Sequence, residues 1–218
     1  MLVNERMSKR PITVTEDTPV DEALKLMRDK KVRRLPVLDK KGELVGIVSE
    51  KDLLYVSPSP ATSLSIFEIH YLLSQLKVGE IMTRDVITVS EYTPLEEAAR
   101  IMDDNKIGGL PVMRDGKLVG IVTESDLFKT FVEILGARDQ GVRLSMLVSD
   151  QPGILADITR AIADMGGNIV SLGTFLGEDP TNRLITVKVA DVAEDQFVAE
   201  MEHLVLKVTD ARTCASCR

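Results

Sequence analysis

Gly46-Ile47-Val48-Ser49-Glu50-Lys51-Asp52-Leu53 and, 74 residues later, Gly120-Ile121-Val122-Thr123-Glu124-Ser125-Asp126-Leu127 decide how this chain is read. Each is a short apolar run, suited to a buried strand, that breaks into a hydroxyl residue with an acid three places on, a pattern that opens a helix. Around them, residues 40–53 match residues 114–127 at 9 of 14 positions. Upstream the offset becomes 75, and residues 3–38 match residues 78–113 at 17 of 36. Ile12-Thr13-Val14 falls on Ile87-Thr88-Val89, and Leu35-Pro36-Val37 on Leu110-Pro111-Val112. A unit of about fifty residues is therefore duplicated.

Each unit reads strand, helix, strand, strand, helix. Thr18 and Thr93 are the expected N-caps of the first helices, each followed by proline at the first helical position and an acid three residues after the cap. The helix faces agree: Val20, Ala23, Leu24 and Met27 repeat the spacing of Leu95, Ala98, Ala99 and Met102. The runs at 35–38 and 44–48 flank a Lys-Lys-Gly turn and read as a hairpin, repeated around Asp115-Gly116. Fifty residues bury little core alone, so the two units are expected to pack on one another. Between them, residues 57–60 (Ser-Pro-Ser-Pro) break regular structure. Residues 66–76 then have helical period, with Ile66, Ile69, Leu72, Leu73 and Leu76 on one side. His70 in that helix reads as a polar residue on a partly exposed face.

The remainder does not match the repeat. Residues 142–148 alternate like a strand, and Asp150-Gln151-Pro152-Gly153 opens a helix to Met165 that Gly166-Gly167 stops. Strands near Asn168–Leu176 and 184–189 flank a turn at 177–182; a helix at 197–204 and a strand at 205–208 follow. The order βαββαβ is the ferredoxin-like plan. The fold class is α+β: two β-α-β-β-α units, then this domain.

Composition narrows function. The net charge of −7 argues against binding by bulk attraction to nucleic acid or anionic lipid. Trp is absent and aromatics are 4%, which weakens any base-stacking platform. No apolar run approaches the roughly 18 residues of a membrane span. Residues 1–11 carry Glu5, Arg6, Lys9 and Arg10 and no apolar core of a signal peptide, so a cytoplasmic location is expected. Both cysteines, Cys214 and Cys217, fall in the last five residues; a CxxC supplies only two metal ligands, so a disordered tail without metal is expected. No HExxH, nucleophile elbow or Gly-rich nucleotide-hydrolysing loop occurs, so no enzyme is expected.

The two motifs admit two readings. A hydroxyl followed by an acid is a capping box and needs no ligand. The same geometry offers free N–H groups and a hydroxyl to a phosphate, while the carboxylate can accept both hydrogen bonds of a ribose diol. Ile12 and Leu35-Pro36, with Ile87 and Leu110-Pro111, would supply apolar walls for adenine.

Gly-Ile-Val-[Ser/Thr]-x-x-Asp after a Leu-Pro-Val strand resembles the CBS motif, and the pair resembles a CBS-domain tandem over about residues 1–136. That resemblance implies an adenosyl ligand in the cleft, with AMP, ADP or ATP expected and S-adenosylmethionine as the alternative. It places ribose on Asp52 and Asp126, phosphates on Ser49 and Thr123, and Thr13, Thr88, Pro36 and Pro111 along the sites. Before Leu-Pro-Val the copies differ: Arg33-Arg34 against Gly108-Gly109. Arginine can clamp phosphate, strand alternation turns at most one into the cleft, and Arg33 is counted among the nucleotide-binding residues.

The C-terminal part resembles an ACT domain in Asp150-Gln151-Pro152-Gly153-Ile154-Leu155 and Gly166-Gly167-Asn168-Ile169. Such domains pair side by side and bind amino acids at the interface, which implies Asp150, Gly153, Asn168 and Ile169. Locally, Gly153 reads as a tight-turn residue and Asn168 as one tolerant of positive φ, so a purely dimerising role stays open. The whole arrangement is similar to the AcuB-like family, named for acetoin utilisation. The expected domains are 1–54 and 78–136 (CBS motifs), 55–77 (linker), 142–210 (ACT-like) and 211–218 (tail). The implied function is a homodimeric, non-catalytic regulator that needs no cofactor, senses adenine nucleotide and an amino acid, and signals to a metabolic protein. A nucleotide-processing enzyme and a scaffold whose motifs are only caps are the alternatives.

Overall fold

The computed structural model describes residues 1–56, 65, 68, 71 and 74–214. Ile66, Ile69, His70, Leu72 and Leu73 of the expected linker helix lie outside the described residues, as do residues 57–60 and Cys217. The chain divides into two compact units, Met1–Leu127 and Phe128–Arg218.

In the first unit, α1 (Val3–Arg6) and β1 (Ser8–Lys9) lead into β2 (Val14–Thr15), α2 (Val20–Lys30), β3 (Arg34–Leu38), β4 (Leu44–Ser49) and α3 (Glu50–Tyr55). The second copy repeats the plan with α4 (Val78–Ile81), β5 (Val89–Ser90), α5 (Leu95–Asn105), β6 (Gly109–Arg114), β7 (Lys117–Thr123) and α6 (Glu124–Ile134), a helix that continues past Leu127. In each, the first strand runs parallel to the second, and the second and third form the expected hairpin. The apolar helix faces are buried as their spacing requires, at Val20, Ala23, Leu24 and Met27 and at Leu95, Ala98 and Met102. Their caps are corrected: Pro19 and Pro94, not Thr18 and Thr93, occupy the N-cap positions. Thr18 instead accepts the Thr15 N–H through its hydroxyl, 3.1 Å away, tightening the turn before the helix. Both helices end on a left-handed lysine, Lys31 (φ 54°) and Lys106 (φ 53°).

The copies pack by exchanging their leading segments. Val3 and Met7 are buried in the second core with Val89, Leu110, Val112 and Val122. Val78 and Met82 are buried in the first with Val14, Leu35, Val37 and Val48. The backbone follows: β1 pairs with β7, giving the order β1-β7-β6-β5, and Thr83 exchanges hydrogen bonds of 3.0 and 2.9 Å with Ile47 beside the sheet β2-β3-β4. Gly46 and Gly120 make this possible, because a Cβ at either would collide with the Met82 or Met7 thioether. A fifty-residue unit is too small to close its own core, and the exchange completes both.

The second unit contains β8 (Gly141–Ser149), α7 (Ile154–Asp164), β9 (Asn168–Leu176), β10 (Asn182–Ala190), α8 (Glu194–Glu202) and β11 (Lys207–Cys214). Its antiparallel sheet has the order β11-β8-β10-β9. Leu144, Met146, Ile185 and Val187 on one face are buried with Ile158 and Ile162 of α7 and Phe197 and Met201 of α8. This is the expected ferredoxin-like plan. The last strand is later and longer than the reading of 205–208, so residues 211–214 of the expected tail lie in the sheet. Gly153 is the left-handed N-cap of α7 (φ 98°), as a tight turn demands. Asn168 takes no positive φ; it starts β9, and Gly166 (φ 76°) makes the left-handed turn. Lys188 is buried and donates to the Gly136 and Asp139 carbonyls at 2.7 and 3.1 Å, fastening residues 136–139 to β10.

Candidate functional site

A cavity of about 430 Å³ opens beside the first motif. One wall is Ile47 and Ser49–Asp52, at the turn from β4 into α3. A second is Thr83, Asp85, Val86 and Ile87, brought there because Thr83 pairs with Ile47. The third is Lys106–Gly109 with Pro111, and Arg33 and Arg34 complete the lining. Arg34 stands opposite Ser49 in the β3–β4 register. The site is thus built from one motif and the other copy's strand entry.

The Ser49–Asp52 capping box forms, and Thr123 donates to Asp126 in the matching way. The Ser49 hydroxyl and N–H donate to Asp52 Oδ2 at 2.6 and 2.8 Å. The Thr123 hydroxyl and N–H donate to Asp126 Oδ2 at 2.7 and 3.0 Å. Capping therefore accounts for the hydroxyl–acid spacing, and Ser49 must turn its hydroxyl from Asp52 before donating to a ligand. Capping uses Asp52 Oδ2 and leaves Oδ1 for a further hydrogen bond.

The copies differ most at the residues before Leu-Pro-Val. Arg33 donates through Nη2 to Ser125 Oγ at 3.3 Å, and Arg34 Nη2 lies 3.9 Å from Glu124 Oε2. Both arginines of the first copy thus reach the second motif. Burial draws the Arg34 guanidinium below its ordinary pKa; Glu124 opposes this, Arg33 adds to it, and Asp52 opposes it.

Of the residues expected to bind nucleotide, Arg33, Ser49, Asp52 and Pro111 line this cavity together. Thr13, Pro36, Thr88, Thr123 and Asp126 are not among its lining residues; Thr123 and Asp126 belong to the second motif, and Thr88 is exposed just before β5. Sequence reading missed Asp85, Lys106, Lys51 and Val86. The charges at 51 and 106 were visible, but nothing local says that residues 83–87 cross to the first copy. In the second unit Asp150, Gly153, Asn168 and Ile169 are all exposed, and Asp150 is held by Arg183 Nε at 3.0 Å.

Two βαββα copies packed on one another with a cavity beside the first motif, followed by a ferredoxin-like domain, define a duplicated α+β module with an appended small domain. A CBS-domain family model matches residues 3–59 and 78–133, more than half of the chain, and the chain belongs to the CBS-domain family. An AHAS small subunit-like ACT domain matches residues 144–208, so the chain is a CBS tandem with a C-terminal ACT domain. Among solved structures, it is similar to a Vibrio cholerae protein bearing the name AcuB, for acetoin utilization. The identity is 31% and the TM-score 0.52, over 64% of this chain and 96% of that one. CBSX2, a protein of Arabidopsis thaliana solved in complex with AMP, is 37% identical with TM-score 0.50, over 61% and 97%. The CBS domain pair of protein MJ0100, in complex with 5′-methylthioadenosine and S-adenosyl-L-methionine, is 32% identical with TM-score 0.50, over 60% and 95%. Among the described residues no helix is long and apolar enough to cross a membrane.

Proposed function

We propose that this protein is a non-catalytic regulator that binds an adenine nucleotide in the cavity beside Ser49–Asp52 and signals its occupancy to a metabolic protein partner. The carrying observation is the cavity's composition. Ile47, Val86, Ile87, Ile107 and Pro111 offer apolar surface for a base, Asp52 an acceptor for a ribose diol, and Arg33, Arg34, Lys51 and Lys106 charge for phosphate. Relatives solved with AMP and with S-adenosylmethionine support an adenosyl ligand. Four cations against Glu50, Asp52 and Asp85 favour a phosphate over a sulfonium cation.

By the repeat, Thr13, Pro36, Thr123 and Asp126 form a second, unequal site, with Thr88 beside the first. Asp150, Gly153, Asn168 and Ile169 are exposed in a single chain, an arrangement suited to an amino-acid site completed across a two-fold dimer. The test is calorimetry and thermal shift of the full chain with AMP, ADP, ATP and S-adenosylmethionine. AMP or ATP should bind and raise Tm; binding of none of the four sinks the reading, and S-adenosylmethionine alone would reassign the ligand.

A further inference from the structure

The Arg34 guanidinium meets two surfaces at once. It lines the nucleotide cavity opposite Ser49, and it faces Glu124, the first residue of α6, from the second motif. The contact is an ion pair without a hydrogen bond at 3.9 Å, between a side chain 22% exposed and one 67% exposed. The Glu124 backbone is fixed, its N–H donating to the Gly108 carbonyl at 3.2 Å. Gly108 also creates the room, since a Cβ there would run into the Arg34 guanidinium and the Glu124 carboxylate. In the reciprocal place the second copy carries Gly108-Gly109 where the first has Arg33-Arg34, so Glu50 has no matching guanidinium. The arrangement is one-sided.

A half-buried cation needs a counter-charge. The carboxylate that Arg34 meets from the second motif is exposed and held at ion-pair distance without a hydrogen bond, so an incoming anion can take its place. We propose that Glu124 is an internal counter-anion of the nucleotide cavity: it neutralises Arg34 when the cavity is empty, and a ligand phosphate must displace it. This rests on the nucleotide reading above and adds a determinant for it. Glu124 weakens binding of phosphorylated ligands while leaving the nucleoside part untouched, and ligand entry at the first motif breaks a link to the second.

The experiment is calorimetry at low salt with adenosine, AMP and ATP on the full chain. The proteins are wild type, Glu124→Gln, Arg34→Ala and the double variant. Glu124→Gln should tighten ATP about two- to fivefold, the range of a partly exposed ion pair. AMP should tighten less and adenosine not at all. On the Arg34→Ala background the Glu124 change should have no effect. Arg34→Gln, which keeps more of the side chain's packing, takes the place of Arg34→Ala if truncation unfolds the unit. Unchanged ATP affinity in Glu124→Gln, an equal shift for adenosine, or an effect that persists without Arg34 overturns the proposal. If wild type binds ATP and Glu124→Gln binds it identically, only the counter-anion is lost. If wild type binds none of the three ligands, the nucleotide reading falls with it.

Discussion

The two copies of the motif share a backbone and a capping chemistry but not an electrostatic setting. Beside Ser49 and Asp52 lies a ligand-sized cavity that takes Asp85 and Lys106 from the second copy. Beside Thr123 and Asp126 lie the side chains of Arg33 and Arg34, engaged with Ser125 and Glu124. Duplication preserves what the fold needs, namely the buried strands, the caps and the close glycines. It leaves free the positions that face the cleft, and there two arginines stand against two glycines. The difference teaches that near-identity of the repeats is a statement about packing, and that function has to be sought where they disagree.

Four paired substitutions break or sharpen that comparison. The exchange of leading segments should be symmetric, so Met82→Ala and Met7→Ala should each destabilise by about 2–4 kcal/mol, as for large buried truncations. Urea denaturation checks this; a near-neutral result for one alone would mean that its core does not depend on the crossed segment. Next comes ligand binding. Asp52→Ala should weaken the nucleotide at the cavity about ten- to hundredfold, the loss of a charge-assisted hydrogen-bond acceptor. Asp126→Ala should weaken it less, and calorimetry on both ranks them.

The third pair concerns acids at equivalent positions. Glu91 is 1% exposed and bound to Arg114, whereas Glu16 pairs with Arg84 at 3.0 Å with its side chain 41% exposed. The Arg114 guanidinium holds the Glu91 carboxyl below the usual carboxylate range, against the opposing effect of burial. A lowered folded-state pKa means stability that is present above the unfolded value and lost as pH falls through the folded one. Glu91→Gln should therefore lower stability at neutral pH and flatten its decline in acid, while Glu16→Gln should change little; Tm measured from pH 7 down to pH 3 decides. Smallest is the pair of left-handed lysines. Lys31→Gly and Lys106→Gly should each stabilise by about 0.5–1 kcal/mol, because glycine carries no Cβ penalty there. Only Lys106→Gly should also weaken a phosphorylated ligand, since Lys106 alone of the two lines the cavity.

Much of this was legible before any coordinates. The helix faces at Val20–Met27, the hairpins around Leu-Pro-Val and the βαββαβ order follow from periodicities of 3.6 and 2, which are local properties. The spacing from Ser49 to Asp52 was legible too, because one helical turn sets it. Other features were not. The start of α2 at Val20 was displaced by a residue, since proline is accepted both at the cap and just after it. Nothing local marks Lys188 for burial, and only the carbonyls of Gly136 and Asp139 explain it.

By itself, the sequence determined that a βαββα unit occurs twice, that a ferredoxin-like domain follows, and that a hydroxyl and an acid cap the helix after each Gly-Ile-Val strand. These depend on residues close together in the chain, so their spacing carries the information. Only the tertiary structure decided that residues 3–9 and 78–83 cross between copies, and hence that Asp85, Val86 and Ile87 join Ser49 and Asp52 in one cavity. It also decided that Arg34 reaches Glu124, ninety positions away. Such contacts are selected by the closing of a shared core and by the space that Gly108 leaves, and neither property is written in any local stretch of the chain.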